Sequence, residues 1–381
     1  MAHKYCFEAL DRSLRDILKD KYEDSINKPF GGLTVVCGGD FRQILPVIPK
    51  STKADIIDAS LNSSYLWPSF QVYELTQNMR LFNPNMSSTE AAKIASFDEW
   101  LLQIGNGSLY DDKEKELIRL PADLCITSYE DPMKSIIQAI YSTFLQSYSD
   151  PTYFKERAIL TPTNDMVHEL NEMIMDIIPA EARTYLSSDG ICKASFKTDQ
   201  NDLLYPTEFL NNLKFSGVPN HNIQLKVGAP IMLLRNLNQG DGLCNGTRLI
   251  VTNLGKWSIR ADIISGKNIG TNVTIPRIIM SPNESRWPFK LNRRQLPVTT
   301  CFAMTINKSQ GQSLKHVGLF LHKQLFTHGQ AYVAMSRVTT REGLTIINAD
   351  DEVEDKTLIK NIVYREIFQT ILPSTQSSVQ P

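Results

Sequence analysis

At 381 residues, with 42% hydrophobic and 21% charged side chains, the sequence has the make-up of a globular protein of two or three domains and not of a fibrous or disordered chain. A formal net charge of −1 gives no global basic footprint, so any nucleic-acid path would have to be a local groove. Six scattered cysteines without a C-x-x-C pair or adjacent histidines argue against a zinc or other metal site and against a disulfide framework, and no apolar run approaches the roughly 20 residues of a membrane span.

Phe7, Leu10, Leu14, Ile17 and Leu18 recur at helical spacing and predict an amphipathic helix; with acidic residues from Glu8 onward, this stretch does not read as a signal peptide. Pro29–Gly32 breaks it before a β-leaning run, Leu33–Cys37, which ends in Gly38-Gly39-Asp40-Phe41-Arg42-Gln43. Such an order places Asp40 and Gln43 at the carboxyl end of a strand, where open α/β folds bind ligands. On the residues alone, Asp40 is either a Walker-B-like magnesium carboxylate or a turn residue. The pattern then predicts a helix over 54–66 stopped by Trp67-Pro68, and a short strand over 72–75 leading to Arg80. Arg80 is a candidate phosphate contact or a solvated surface arginine. A loop over 83–88, a helix over 90–104 closed by Gly105-Asn106-Gly107 and a helix over 134–147 follow, and 151–156 separates two halves.

The second half restarts with a strand over 158–160 and a helix over 165–178. Thr163 and Asn164 stand at that helix's N-cap, as an anion site or as plain caps. An irregular stretch over 190–222, a strand over 226–234 and a turn-rich 236–247 lead into short alternating runs over 248–297, which predict a small β-barrel-like insertion. An apolar strand over 298–304, a polar turn over 305–313 and a strand over 317–321 come next. In that turn Lys308 offers a point charge, Gln310, Gln312 and Ser313 offer donors and acceptors, and Gly311 allows close backbone approach; an ordinary βα loop is the alternative. His328-Gly329-Gln330 opens a helix through Arg337, 344–347 reads as the last strand, 350–371 holds a helix, and the Ser/Gln/Pro-rich 373–381 reads as a disordered tail.

Taken in order, GGLTVVCGGDFRQILPV (31–47), LTQNMR (75–80), ILTPTN (159–164), GAPIMLLRNLNQGDGLCNGTRLIV (228–251), FAMTINKSQGQSL (302–314) and GQAYVAMSRV (329–338) resemble the Pif DNA helicases, superfamily-one enzymes that translocate 5′ to 3′. The flavour is that of the helicase part of Helitron transposons, and the resemblance covers about residues 1–350. It implies an α/β, RecA-like P-loop NTPase helicase fold: a partial first RecA-like domain with a helical connector (1–150), a complete second one (151–247 and 298–350) carrying an SH3-like β-barrel insertion (248–297), and a C-terminal helix and tail (351–381). ATP with Mg2+ would lie between the domains and single-stranded DNA across their tops. By the resemblance, Gln43 orients the attacking water or senses the γ-phosphate, and Arg80 and Arg337 neutralise charge developing on it. Asp40, Gln310, Gly311 and Gln330 take the nucleotide side, with Asp40 no longer a magnesium ligand because GDFRQ is a later motif than Walker B. Thr305, Asn307 and Lys308 would contact DNA on one edge, Thr163 and Asn164 on another. Implied as well are DNA forks as substrates, a monomer, a nuclear location, and work in DNA repair, recombination or telomere maintenance.

One departure qualifies this. The sequence holds no G-x-x-x-x-G-K-[ST]; Gly255-Lys256 and Gly266-Lys267 lack the spacing, and neither Asp98-Glu99 nor Asp351-Glu352 ends an apolar strand. The expectation is a fragment whose phosphate cradle and magnesium carboxylate belong upstream of Met1, with an uncovered sheet edge and little ATP hydrolysis of its own. The alternative is a motorless, transposon-derived protein that binds single-stranded DNA. A nucleotide kinase comes third, since it would leave the TINKSQGQS stretch without a task.

Overall fold

A computed structural model describes residues 1–82, 86–147, 150–192, 205–282 and 287–369. Its strands, in chain order, are β1 (Leu117–Arg119), β2 (Arg157–Thr161), β3 (Arg183–Leu186), β4 (Ser188–Ile191), β5 (Asn222–Leu225), β6 (Pro230–Leu233), β7 (Arg248–Leu254), β8 (Ser258–Ile263), β9 (Asn272–Pro276), β10 (Ile278–Met280), β11 (Leu291–Gln295), β12 (Val298–Thr300), β13 (Ala303–Thr305), β14 (His316–Leu321), β15 (Leu344–Asn348) and β16 (Leu358–Lys360). The helices are α1 (Lys4–Leu18), α2 (Lys53–Asp58), α3 (Ser88–Asn106), α4 (Pro132–Ile140), α5 (Phe144–Ser147), α6 (Pro151–Lys155), α7 (Asn164–Ile177), α8 (Thr207–Asn212), α9 (Gln330–Met335) and α10 (Glu366–Gln369).

A four-stranded parallel sheet of order β13-β2-β14-β15 organises the chain. Its strands are apolar on both faces, as a doubly covered parallel sheet requires. Ala158, Leu160, Val317 and Leu319 face Phe97, Leu101 and Ile104 of α3 and Ala331, Val333 and Ala334 of α9. Ile159, Ala303 and Phe320 face Ile136, Ile137 and Ile140 of α4 and Leu170 and Ile174 of α7. Alternate residues of each strand thus feed two separate cores. Because α3 belongs to the first half, this packing docks that half onto the sheet of the second.

The β-rich unit holds a five-stranded antiparallel sheet, β12-β6-β7-β8-β9, beside a three-stranded one, β10-β11-β4, and the β3-β5 pair. It draws strands from both sides of 248–297. A fully buried ion pair fastens it: Arg293 donates to Asp189 at 2.6 Å, and also to the carbonyls of Leu210, Leu213 and Pro219.

Several expected elements come out differently. Residues 33–37 and 72–75 join no sheet among the described residues, with Val36 90% and Leu75 97% exposed, because β-leaning sequence makes a strand only where a neighbour pairs with it. The helix expected over 54–66 stops at Asp58, and that over 134–147 splits into α4 and α5. The stretch 190–222, expected to be irregular, contributes the end of β4, the whole of α8 and the start of β5. The strand over 226–234 begins only at Pro230, after a turn closed by Ala229 N–H donating to the Lys226 carbonyl. The run 298–304 is shared between two sheets, β12 antiparallel to β6 and β13 parallel to β2. Within 350–371 a strand, β16, pairs with β1. The tail 373–381 and residues 83–85 of the expected loop lie outside the described residues.

Candidate functional site

Strands β13, β2 and β14 run parallel, so the segments that leave their carboxyl ends share one edge of the sheet. From β13 comes the turn Ile306–Ser309, from β2 the start of α7 with Thr163 and Asn164, and from β14 His322. Thr163 does not cap α7 with its side chain; its hydroxyl pairs with His322 Nε2 at 3.1 Å instead. Asn164 is exposed at the helix start, and Thr305 is buried at the strand end, in register with Thr161. Ser309 Oγ donates to the Ile306 carbonyl at 2.7 Å and tightens the turn. Gly311 follows in the left-handed region (φ +80°) with open space where a Cβ would stand, so its backbone, not crowding, calls for glycine.

Gln43 and Gln310, 267 residues apart in sequence, meet at this edge: Gln310 Nε2 donates to Gln43 Oε1 at 2.9 Å. The Gly38–Gln43 loop is also gripped by 328–330. His328 Nε2 lies 2.8 Å from the Phe41 carbonyl. Gly329 (φ +76°) leaves so little room that a Cβ would stand 2.5 Å from the Arg42 carbonyl oxygen. Buried Gln330 accepts from the Phe326 and Thr327 N–H groups and donates to Asn307 Oδ1 at 3.4 Å, tying α9 to the turn after β13. Arg337 is buried and donates to the carbonyls of Val333 (2.7 Å) and Gln312 (3.1 Å) and to Ser336 Oγ (2.8 Å). Asp40 accepts from Arg42 N–H at 3.0 Å and neighbours the Tyr332 hydroxyl; burial and that carboxylate push Tyr332 up to about 12. Arg80 stands in the short helical turn Met79–Phe82, and its side chain lies outside the described residues.

Lysines and histidines gather at the strand ends. Lys308 is exposed as a residue, yet desolvation of its ammonium holds it below the usual lysine range. His168 on α7 is lowered first by burial and then by the charges of Lys214 and Lys308, which places all three near one another. Burial also lowers His322, with Lys323 adding to the effect. The edge therefore offers lysine charge and polar hydrogen-bonding groups, with the carboxylates of Asp165, Glu169 and Glu172 close by on α7. Sequence reasoning gave no role to His168, Tyr332, His322 or His328. His168 and His322 carry no local signal, whereas Tyr332 lies inside GQAYVAMSRV and His328 stands immediately before Gly329-Gln330.

The family model described as PIF1-like helicase matches residues 1–115, and that of the DNA helicase Pif1 2B domain matches 208–254. The mouse ATP-dependent DNA helicase PIF1 is 36% identical over 91% of this chain, and the human protein of that name 34% identical over 85%. The chain belongs to the PIF1-like helicase family. It spans 44% and 42% of those two relatives' own lengths, and 43% of a Xenopus laevis relative that is 28% identical. The RecA-like helicase fold of PIF1-like proteins is borne out by solved structures: Bacteroides Pif1 bound to ssDNA aligns over 97% of this chain and 72% of its own at TM-score 0.62, and Candida albicans Pif1 over 97% and 74% at 0.58, each at 20% identity. The PIF1-like match at 1–115 contains the Gly38–Gln43 loop, and the 2B match at 208–254 runs from α8 into β7.

Proposed function

We propose that this chain supplies the DNA-tracking and phosphate-sensing parts of an ATP-dependent DNA helicase. The hydrogen bond between Gln310 and Gln43 carries the reading. Gln310 sits in the same turn as Asn307 and Lys308, the residues proposed to hold DNA phosphates with Thr305, Thr163 and Asn164. Gln43 sits in the loop proposed to face the nucleotide's terminal phosphate. A strand that shifts the turn shifts Gln310, and Gln43 with it, so DNA position and phosphate sensing are coupled through one contact. Arg337 braces the same turn through Gln312 and is the proposed source of positive charge toward the phosphate, together with Arg80; Asp40, Gly311 and Gln330 shape the nucleotide side.

ATP is the proposed cofactor, and the chemistry it supplies when bound is transfer of its γ-phosphoryl group to water. The residues here fit only the sensing side, since no G-x-x-x-x-G-K-[ST] is present in the sequence. Among the described residues no group of three His, Cys, Asp or Glu gathers to ligate a metal, and Mg2+ is not assigned to this chain's side chains. We further propose single-stranded DNA and forks as substrates, a monomer, a nuclear location, work in repair, recombination or telomere maintenance, and the division into 1–150, 151–247 with 298–350, a 248–297 insertion and 351–381.

Anisotropy of labelled single-stranded DNA with the 381-residue chain tests this. Lys308→Ala is expected to weaken binding and to reduce the slope of log affinity against log salt by about one, while Gln43→Ala removes no charge and is expected to leave that slope unchanged. Salt-independent binding, or none, sinks the reading. ATP hydrolysis by this chain alone is expected to be marginal; DNA-stimulated turnover at ordinary helicase rates would overturn the assignment of the phosphate cradle elsewhere. The lack of that cradle favours the second reading, a single-strand-binding protein without a motor, which predicts DNA affinity indifferent to nucleotide.

A further inference from the structure

His328 has no solvent exposure, and both ring nitrogens are engaged. Nδ1 accepts from the Tyr364 N–H at 2.8 Å, so it carries no proton; Nε2 therefore carries one and donates it to the Phe41 carbonyl at 2.8 Å. One imidazole thus joins two segments far apart in sequence. On one side is the Gly38–Gln43 loop, whose Arg42 and Gln43 carbonyl groups also pack against Gly329. On the other is the C-terminal segment 361–368. Tyr364 stacks on the imidazole at 5.2 Å, Gly329 N–H donates to the Ile362 carbonyl at 3.1 Å, and Lys53 bridges from α2 to Glu366 at 2.7 Å and over the Tyr364 ring. The charged groups that bear on the ring are Asp40, from the loop it holds, and Lys53.

We propose that His328 is a positioning residue: it fixes where Gln43 meets Gln310, and it makes that contact depend on the docking of segment 361–368. The proposal rests on the reading of Gln43 and Gln310 given above. Phe41 is two residues from Gln43, so the lever is short. A donor lost at Phe41 frees the loop on one side, while the Gly329 contact alone limits approach but supplies no attraction. Conversely, undocking Tyr364 removes the acceptor duty that keeps the ring in its Nε2–H tautomer, and the donor that holds Phe41 is then no longer fixed.

Two substitutions separate the two bonds. His328→Gln can place an amide N–H near the Phe41 carbonyl; His328→Asn can keep an acceptor for Tyr364 N–H but does not reach Phe41. In the full chain, with histidine and glutamine labelled with ¹⁵N, the wild-type imidazole is expected to show the neutral Nε2–H pattern at pH 7.5. The side-chain amide signals of Gln43 and Gln310, assigned through Gln43→Ala and Gln310→Ala, are expected to shift in His328→Asn and to return toward wild type in His328→Gln. An Nδ1–H tautomer or an imidazolium in the wild type overturns the proposal, and this needs no variant to fold. So do amide signals unmoved in both variants, or moved equally in both. Neither DNA nor nucleotide enters this experiment, so failure of the helicase reading would show in the anisotropy assay and leave this result standing.

Discussion

At Gly329 a backbone in the left-handed region coincides with the close approach of another segment. Alanine there has to adopt φ +76° and to place a Cβ 2.5 Å from the Arg42 carbonyl oxygen and 2.7 Å from the Gln43 carbonyl carbon. Backbone strain and overpacking add, and the neighbour is backbone that cannot swing aside. Gly329→Ala is expected to cost about 2–4 kcal/mol of stability and to unseat the Gly38–Gln43 loop from 328–330. Chemical denaturation of the two proteins checks it, and a loss below about 0.5 kcal/mol would mean the loop is not seated against 328–330. The sequence offers GQAYVAMSRV as a motif but not this reason for its glycine, because the partner atoms lie 286 residues or more upstream.

Among the elements, residues 33–37 and 72–75 stand apart. Both have the composition of strands, and both lack ladder hydrogen bonds among the described residues, exposing Val36, Tyr73 and Leu75. Unpaired amides exchange quickly whatever their residue type. Hydrogen exchange of the 381-residue chain is therefore expected to label 33–37 and 72–75 within seconds, while the β2 and β14 amides at 158–160 and 317–320 stay protected. Protection of the two apolar runs at the level of β2 would show that they pair with something, a second copy included. Helix α3 behaves in the opposite way. Its sequence already carries the capping pair Ser87 and Glu90 and the closing Gly107, and the structure uses all of them. Local chemistry suffices for a helix, whereas a strand waits for a partner.

For the molecule as a whole, titration of the buried histidines is linked to stability. His168, His316, His322 and His328 are all held below the usual histidine range, in each case chiefly by burial. A histidine lowered in the fold binds its proton more readily when unfolded. Its contribution is thus fully present above the unfolded value of about 6.5 and is lost as pH falls through that value toward the folded one. Carboxylates act lower down. Asp11 is penalised by burial, but hydrogen bonds from Arg15, Phe30 N–H and Tyr65 outweigh this and lower it; Asp355 is brought to about 2 by Thr357 and then Arg119. Their stabilisation is lost only below about pH 4. Thermal midpoints are expected to fall between pH 6.5 and 5, and to fall again below 4. A midpoint that rises between 6.5 and 5 would contradict the neutral, buried histidines.

By itself the sequence determined what depends on neighbours along the chain. It supplied the helices α1, α3 and α7, the apolar cores of β2, β14 and β15, the motif order that resembles Pif helicases, and the polar turn after β13. It also named Gln43 and Gln310 separately as site residues. Only the tertiary structure decided that those two amides touch, that Thr163 turns to His322 instead of capping its helix, and that His328 and Gly329 hold the Gly38–Gln43 loop between them. It likewise decided that the run 298–304 splits between two sheets and that 33–37 pairs with nothing among the described residues. The division has a physical basis. Helix propensity, capping and turn chemistry act over a few residues, while strand pairing, burial and side-chain contacts at the site join residues hundreds of positions apart, at distances that no local pattern encodes.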